Sequence, residues 1–189
     1  MVKVKICGLR RDEDIDYVNE LKPDYIGFIL SEGFRRSIDI ETARHLKERL
    51  DPSIKAVGVF VNEDLNYIEQ YDFIDLVQLH GTESADYCRM IDMPVIKVFK
   101  PDSFDKVNEY ACEYYLFDSG TGTGKTFDWS LIPRVDQPFF LAGGLNEDNL
   151  KEAIETIKPY GIDLSSAVET DGYKDYDKIK RILEIVRYE

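Results

Sequence analysis

The chain has 189 residues with 24 basic and 37 acidic side chains, a formal net charge of -13. That length suits one domain with a substantial buried core, and it is short for an eight-fold barrel, which typically takes about 250 residues. So acidic a chain is a poor binder of nucleic acid or anionic membrane through a general basic field; a small anionic substrate would need local donors from backbone N–H groups, helix ends and a few placed cations. Three widely spaced cysteines, Cys7, Cys88 and Cys112, include no CxxC pair and no histidine at ligand spacing. They support neither a zinc site nor a disulfide scaffold. With no charged-then-apolar leader and no apolar run near about 18 residues, the expectation is a soluble protein of a reducing cytoplasm.

Strand and helix signals alternate from the first residues. Val2–Ile6 is a short β-like run, and the polar stretch Arg10–Leu21 follows with Ile15, Val18 and Leu21 at helical spacing. Tyr25–Leu30 reads as a strand and Ile40–Leu50 as a helix with Ala43, Leu46 and Leu50 on one face. Then come Ala56–Val61 and the helix Glu63–Gln70, Leu76–Leu79 and the helix Glu83–Ile91, and Val95–Phe99 with a short helix near Ser103–Tyr110. Tyr114–Phe117 is the sixth strand. After it only a stub of helix fits around Trp129–Ile132 before Pro133 stops it. Phe139–Ala142 with Glu147–Ile157, and Gly161–Leu164 with Asp175–Tyr188, complete eight βα units without an internal linker.

Such alternation predicts parallel strands joined by right-handed crossovers in a single domain, residues 1–189, either closed as a barrel or open as a doubly wound sheet. Strand one favours closure. Val2, Val4 and Ile6 alternate with Lys3, Lys5 and Cys7, so its two faces differ in polarity, whereas a central strand of an open parallel sheet is apolar on both. In a (βα)8 barrel, Lys5 and Cys7 would point inward. An exposed edge strand with its lysines in water is the competing reading.

Barrels carry their chemistry at the C-terminal ends of the strands and in the loops just beyond. Those positions hold Cys7-Gly8, Gly27 to Arg36, Asn62, Gln78-Leu79-His80-Gly81, Lys97 to Lys100, Asp118, Gly143-Gly144 and Asp163 to Ser166. Cys7 reads either as a small buried hydrophobe or as a base; Lys5, about 7 Å away on the same face, would favour thiolate and lower the thiol pKa. Asp118 ends a very apolar run, so it reads as a desolvated general acid with a raised pKa or as a turn residue ahead of Gly120. Cys88 and Cys112 read as structural. Gly120–Thr126 looks superficially like a nucleotide P-loop, but Ser119 stands where the motif needs its first glycine and no long helix follows. A mobile loop over the barrel mouth is the better account. Gly143-Gly144 and Ser165-Ser166 lie where barrels bind phosphate. Arg35 and Arg36 suggest a carboxylate or phosphate clamp, and Gln78 and His80 share a face that could line the cavity.

Taken together, Lys5–Gly8, Val59–Asn62, Val77–Gly81, Phe117-Asp118, Gly124–Trp129, Leu141–Leu145 and Asp163–Glu169 resemble phosphoribosylanthranilate isomerase of tryptophan biosynthesis, over essentially the whole chain. The resemblance implies a (βα)8 barrel performing the Amadori rearrangement of N-(5-phosphoribosyl)anthranilate to 1-(2-carboxyphenylamino)-1-deoxyribulose 5-phosphate, with no cofactor and no metal, as a monomer or homodimer. It makes Asp118 the general acid that opens the ring and Cys7 the base that takes the C2′ proton. Arg36 would meet the anthranilate carboxylate, Gln78, His80 and Asp163 would contact substrate, and Gly143, Gly144, Ser165, Ser166 and Ala167 would cradle the phosphate. Phe34 is a candidate for the apolar surface beside the aromatic ring. Two departures stand out. Ala167 replaces the family's usual glycine, which would strain the loop by about 1–2 kcal/mol if that residue needed φ > 0. The loop between Asp118 and Gly124 is also shorter than in many relatives. Two rivals differ in class: an aminoaldose isomerase of histidine biosynthesis, whose two-fold repeat with paired aspartates has no counterpart here, and a non-catalytic phosphometabolite sensor, which has no need of both Cys7 and Asp118.

Overall fold

The eight strand signals close into one parallel barrel in the order in which they occur in the chain. The computed structural model describes residues 1–119 and 126–187. The strands are β1 (Lys3–Cys7), β2 (Tyr25–Ile29), β3 (Lys55–Phe60), β4 (Leu76–Leu79), β5 (Val95–Phe99), β6 (Tyr114–Phe117), β7 (Phe139–Leu141) and β8 (Gly161–Leu164). Closure comes from β1, which pairs with β2 on one side and β8 on the other, setting Lys5 opposite both Tyr25 and Asp163. The edge-strand reading of β1 is therefore excluded.

Helices α1 (Asp12–Leu21), α2 (Ile40–Arg49), α3 (Leu65–Ile68), α4 (Ala85–Arg89), α5 (Leu150–Ile157) and α6 (Tyr176–Arg187) pack outside the strands. In α6 the buried residues Ile179, Ile182, Leu183 and Val186 recur at helical spacing, giving one apolar stripe against the barrel. Asp39 caps α2 through Thr42 N–H and Ser84 caps α4 through Tyr87 N–H, which fixes where the chain leaves the mouth. Economy falls on the middle units. The fifth is a 3₁₀ helix over Pro101–Glu109, and the sixth is the expected stub, one 3₁₀ turn at Trp129–Leu131. Two features were not anticipated: a 3₁₀ turn at Ser166–Val168 just after β8, and a hairpin of β9 (Glu169–Thr170) with β10 (Tyr173–Lys174). Asp171 and Gly172 join β9 to β10 with φ of 50° and 83°, the left-handed pair of a tight hairpin turn.

Strand alternation divides the apolar side chains into two cores. The larger lies between strands and helices and holds Val4, Ile6, Val77, Leu79 and Phe117. The smaller fills the barrel itself with Tyr25, Val57, Leu76, Ile96, Val98, Leu116, Phe140 and Ala142. At the N-terminal end of the barrel Tyr25, Tyr114, Phe140 and Tyr160 stack edge-on or tilted, with centroids 5.2–5.8 Å apart, and the Tyr25 and Tyr160 hydroxyls hydrogen-bond at 2.9 Å. This aromatic floor leaves the ionisable groups to the middle and the mouth.

Candidate active site

A cavity of about 430 Å³ opens at the C-terminal ends of the strands. Its lining brings together Cys7, Arg36, Gln78, His80, Asp118, Gly143, Gly144, Asp163, Ser165, Ser166 and Ala167 of the expected site residues, and leaves out Arg35. They come from loops and strand ends spread over six of the eight units, so only barrel closure can assemble them. Asn62, Lys97 and Lys100 line a neighbouring cavity of about 400 Å³, which shares His80 with the first. Phe34 is 48% exposed and does not line the main cavity.

Cys7 is the last residue of β1 and is buried. Below it on the same face Lys5 is fully buried, its ammonium 2.9 Å from Asp163 Oδ1 and close enough to the thiol to favour its ionised form. The expected lowering of the Cys7 pKa is reversed. Burial pushes the thiol above its ordinary 9.0, Asp163 adds to that push, and the opposing pull of Lys5 and Lys174 is too weak because each ammonium is shared with a carboxylate. Lys5 itself remains a cation: burial disfavours its charge, but Asp163 and Cys7 outweigh burial and raise its pKa.

Asp118 follows β6, and its N–H donates to Phe99 O. Its carboxylate lies 3.4 Å from His80 Nε2. Gln78 Nε2 lies 3.1 Å from His80 Nδ1; with the amide donating there, the imidazole carries its proton on Nε2, facing Asp118. Gln78 Oε1 is buried in the cavity wall with no protein partner among the described residues.

Backbone shape brings the loops close. Gly8 has φ 85°, and a Cβ there would lie 2.5 Å from Arg36 Cδ, so only glycine lets the arginine stem cross above the end of β1. Gly143, with φ 82°, would place a Cβ 2.4 Å from Ser119 N, so the loops after β6 and β7 meet without a side chain between them. Ala167 lies in the 3₁₀ turn and is not among the residues with positive φ, so the anticipated strain is absent. The Gly120–Lys125 loop, with its expected role as a lid, lies outside the described residues.

Sequence reasoning missed Glu169 and Lys174, which the hairpin brings against Arg36 and Ser165 of the cavity lining. Glu169 Oε1 accepts from Arg36 Nε and Lys174 Nζ, both at 2.7 Å, and Oε2 accepts from Arg36 Nη2 at 2.8 Å. Lys174 also donates to Ser165 O at 3.1 Å, and Ser165 Oγ donates to Cys7 O at 2.9 Å. An available signal was Asp171-Gly172, the turn pair that returns Lys174 beside Glu169.

The family model for N-(5'phosphoribosyl)anthranilate (PRA) isomerase matches residues 4–185. The chain belongs to this family. Its activity is the family's, isomerisation of N-(5'-phosphoribosyl)anthranilate in tryptophan biosynthesis. The N-(5'-phosphoribosyl)anthranilate isomerase of Thermoanaerobacter sp. (strain X514) is 45% identical over 201 residues, covering 99% of this chain and 98% of that protein. The crystal structure of phosphoribosyl anthranilate isomerase from Thermotoga maritima superimposes with a TM-score of 0.89 at 37% identity, covering 100% of both chains. A further solved phosphoribosyl anthranilate isomerase, in complex with reduced 1-(o-carboxyphenylamino)-1-deoxyribulose 5-phosphate, has a TM-score of 0.85 and 35% identity over 100% of both chains.

Proposed function

We propose that Asp118 and Cys7 are the acid and base of the Amadori rearrangement in this chain. Asp118 donates a proton to the furanose ring oxygen as the C1′–O bond breaks, and the anthranilate nitrogen lone pair forms the C1′=N bond of the Schiff base. The thiolate of Cys7 then removes the C2′ proton; the C–H electrons become the C1′=C2′ bond as the C1′=N π pair returns to nitrogen, giving an enolamine that tautomerises to the ketose. Protons move and no electrons leave the substrate, so no step calls for a cofactor. Each acid–base group contributes about 10²- to 10⁴-fold.

The observation that carries the reading is the shared cavity, with Cys7 on β1 and Asp118 after β6 facing one volume. His80 supports it: an N–H facing Asp118 stabilises the carboxylate that remains once the proton has left. Arg36 receives the substrate carboxylate through Nη1, which makes no hydrogen bond among the described residues. Gly143, Gly144 and Ser165–Ala167 hold the phosphate; Gln78 and Asp163 contact the sugar. We read the chain as a cytoplasmic enzyme, monomeric or homodimeric; among the described residues no helix is long and apolar enough to cross a membrane.

The test supplies freshly made phosphoribosylanthranilate to the purified, folded protein and follows the loss of its fluorescence. Turnover in the wild type that collapses in Cys7→Ala and Asp118→Asn is expected; full activity in either variant removes that residue from its role.

A further inference from the structure

The acid–base reading leaves Glu169 without a task, although its side chain is only 5% exposed and faces three cations. Arg36 Nε and Nη2 bind its two oxygens as a fork at 2.7 and 2.8 Å, Lys174 reaches Oε1 at 2.7 Å, and Arg35 reaches Oε2 at 3.1 Å. We infer that Glu169 is a positioning residue that aims the free end of Arg36 at the carboxylate of the substrate. This rests on the reading that Arg36 meets that carboxylate.

A guanidinium on a flexible stem samples many rotamers, and an aimed clamp needs it fixed from its far side. Two independent contacts provide this. The stem lies over Gly8, where a Cβ would stand 2.5 Å from Arg36 Cδ, and the fork is closed by Glu169. With Nε and Nη2 spent, Nη1 is the remaining end, and Arg36 lines the cavity. Glu169 is itself held by the hairpin, where it pairs across the strands with Lys174. Arg10 ties that hairpin down by donating to Gly172 O and to Arg35 O, both at 3.0 Å. The cluster keeps three cations against one carboxylate, a local positive patch in a chain of net charge -13. A carboxylate that only neutralised the arginine would need neither the fork nor the tethered hairpin.

The experiment measures dissociation constants by calorimetry for two probes: reduced 1-(o-carboxyphenylamino)-1-deoxyribulose 5-phosphate, and its phenylamino counterpart lacking the carboxylate. The ratio of the two is the carboxylate preference. Glu169→Gln is expected to reduce that preference roughly 10-fold, as for loss of one charge-assisted contact, while binding of the phenylamino probe stays within about 2-fold. Arg36→Ala/Glu169→Gln should show the same preference as Arg36→Ala alone, because a positioning residue has nothing left to position. Equal weakening of both probes by Glu169→Gln, or additive losses in the double variant, would overturn the proposal. Should Glu169→Gln not fold, Glu169→Asp answers the same question. Withdrawing the carboxylate by one methylene should cut the preference partway, and an undiminished preference sinks the idea. A wild type without any preference, or an Arg36→Ala variant that keeps it, locates the failure in the Arg36 reading instead.

Discussion

Lys5 on β1 and Lys97 on β5 both have buried side chains, 0% and 3% exposed, and each faces one carboxylate, Asp163 at 2.9 Å and Glu83 at 2.7 Å. What differs is the face of the barrel and the remaining partners. Lys97 points outward, in register with Leu79 and Tyr115 of the outer core. Its ammonium also meets Gly81 O at 2.9 Å and Leu79 O at 3.5 Å, while Glu83 accepts from the N–H groups of Asn62 and Gly81. All of these contacts are spent on shaping the loops after β3 and β4. Lys5 points inward and divides itself between Asp163 and the Cys7 thiol at the bottom of the cavity. A buried ion pair saturated by backbone groups builds structure; one shared with a titratable neighbour sets the chemistry of that neighbour.

The largest expected effect separates the thiols beside these two lysines. Cys7→Ala should lower kcat by about 10²- to 10⁴-fold with probe binding nearly unchanged, whereas Cys88→Ala, near Lys97, should leave kcat within about 2-fold. Comparable losses in both would break the comparison. Next, Lys97→Met should cost about 3–5 kcal/mol of unfolding free energy in a urea titration, because it strands the Glu83 carboxylate, yet the folded fraction should turn over at the wild-type rate. A folded Lys97→Met with a large kcat defect would make that pair part of the chemistry.

The smallest effect is a shift in pH profile. The active form of Cys7 is the thiolate, and burial raises the thiol above its ordinary 9.0, so kcat/KM should climb with pH through the neutral range and inflect above that value. Lys5 is the main group pulling the thiol pKa down, so Lys5→Met should move the inflection to still higher pH. An inflection well below 9, or one indifferent to Lys5→Met, contradicts the assigned division of labour.

Much of this was legible in the sequence because it is written locally. The bounds of β4, β5, β6 and β8 follow from apolar runs between polar turns, and the two-faced β1 already argued for closure. The site residues could be named because barrels place chemistry at strand ends, and the family motifs sharpened the choice. What stayed hidden depends on partners distant in the chain. Part of the upward push on the Cys7 thiol comes from Asp163, which also holds Lys5 across the β1–β8 seam, 158 positions along the chain from it. The Arg36–Glu169 fork spans 133 residues, and neither residue predicts the other. Helix α4 is shorter than its pattern, partly because Glu83, expected as its first residue, turns inward to Lys97.

The aromatic floor has a kinetic consequence. With Tyr25, Tyr114, Phe140 and Tyr160 filling the N-terminal end, the barrel is a blind well, and reactant and product must pass through the same doorway. Turnover then runs as single-file traffic: each ketose must clear the mouth before the next labile N-glycoside can descend, and accumulated product should inhibit purely by competition.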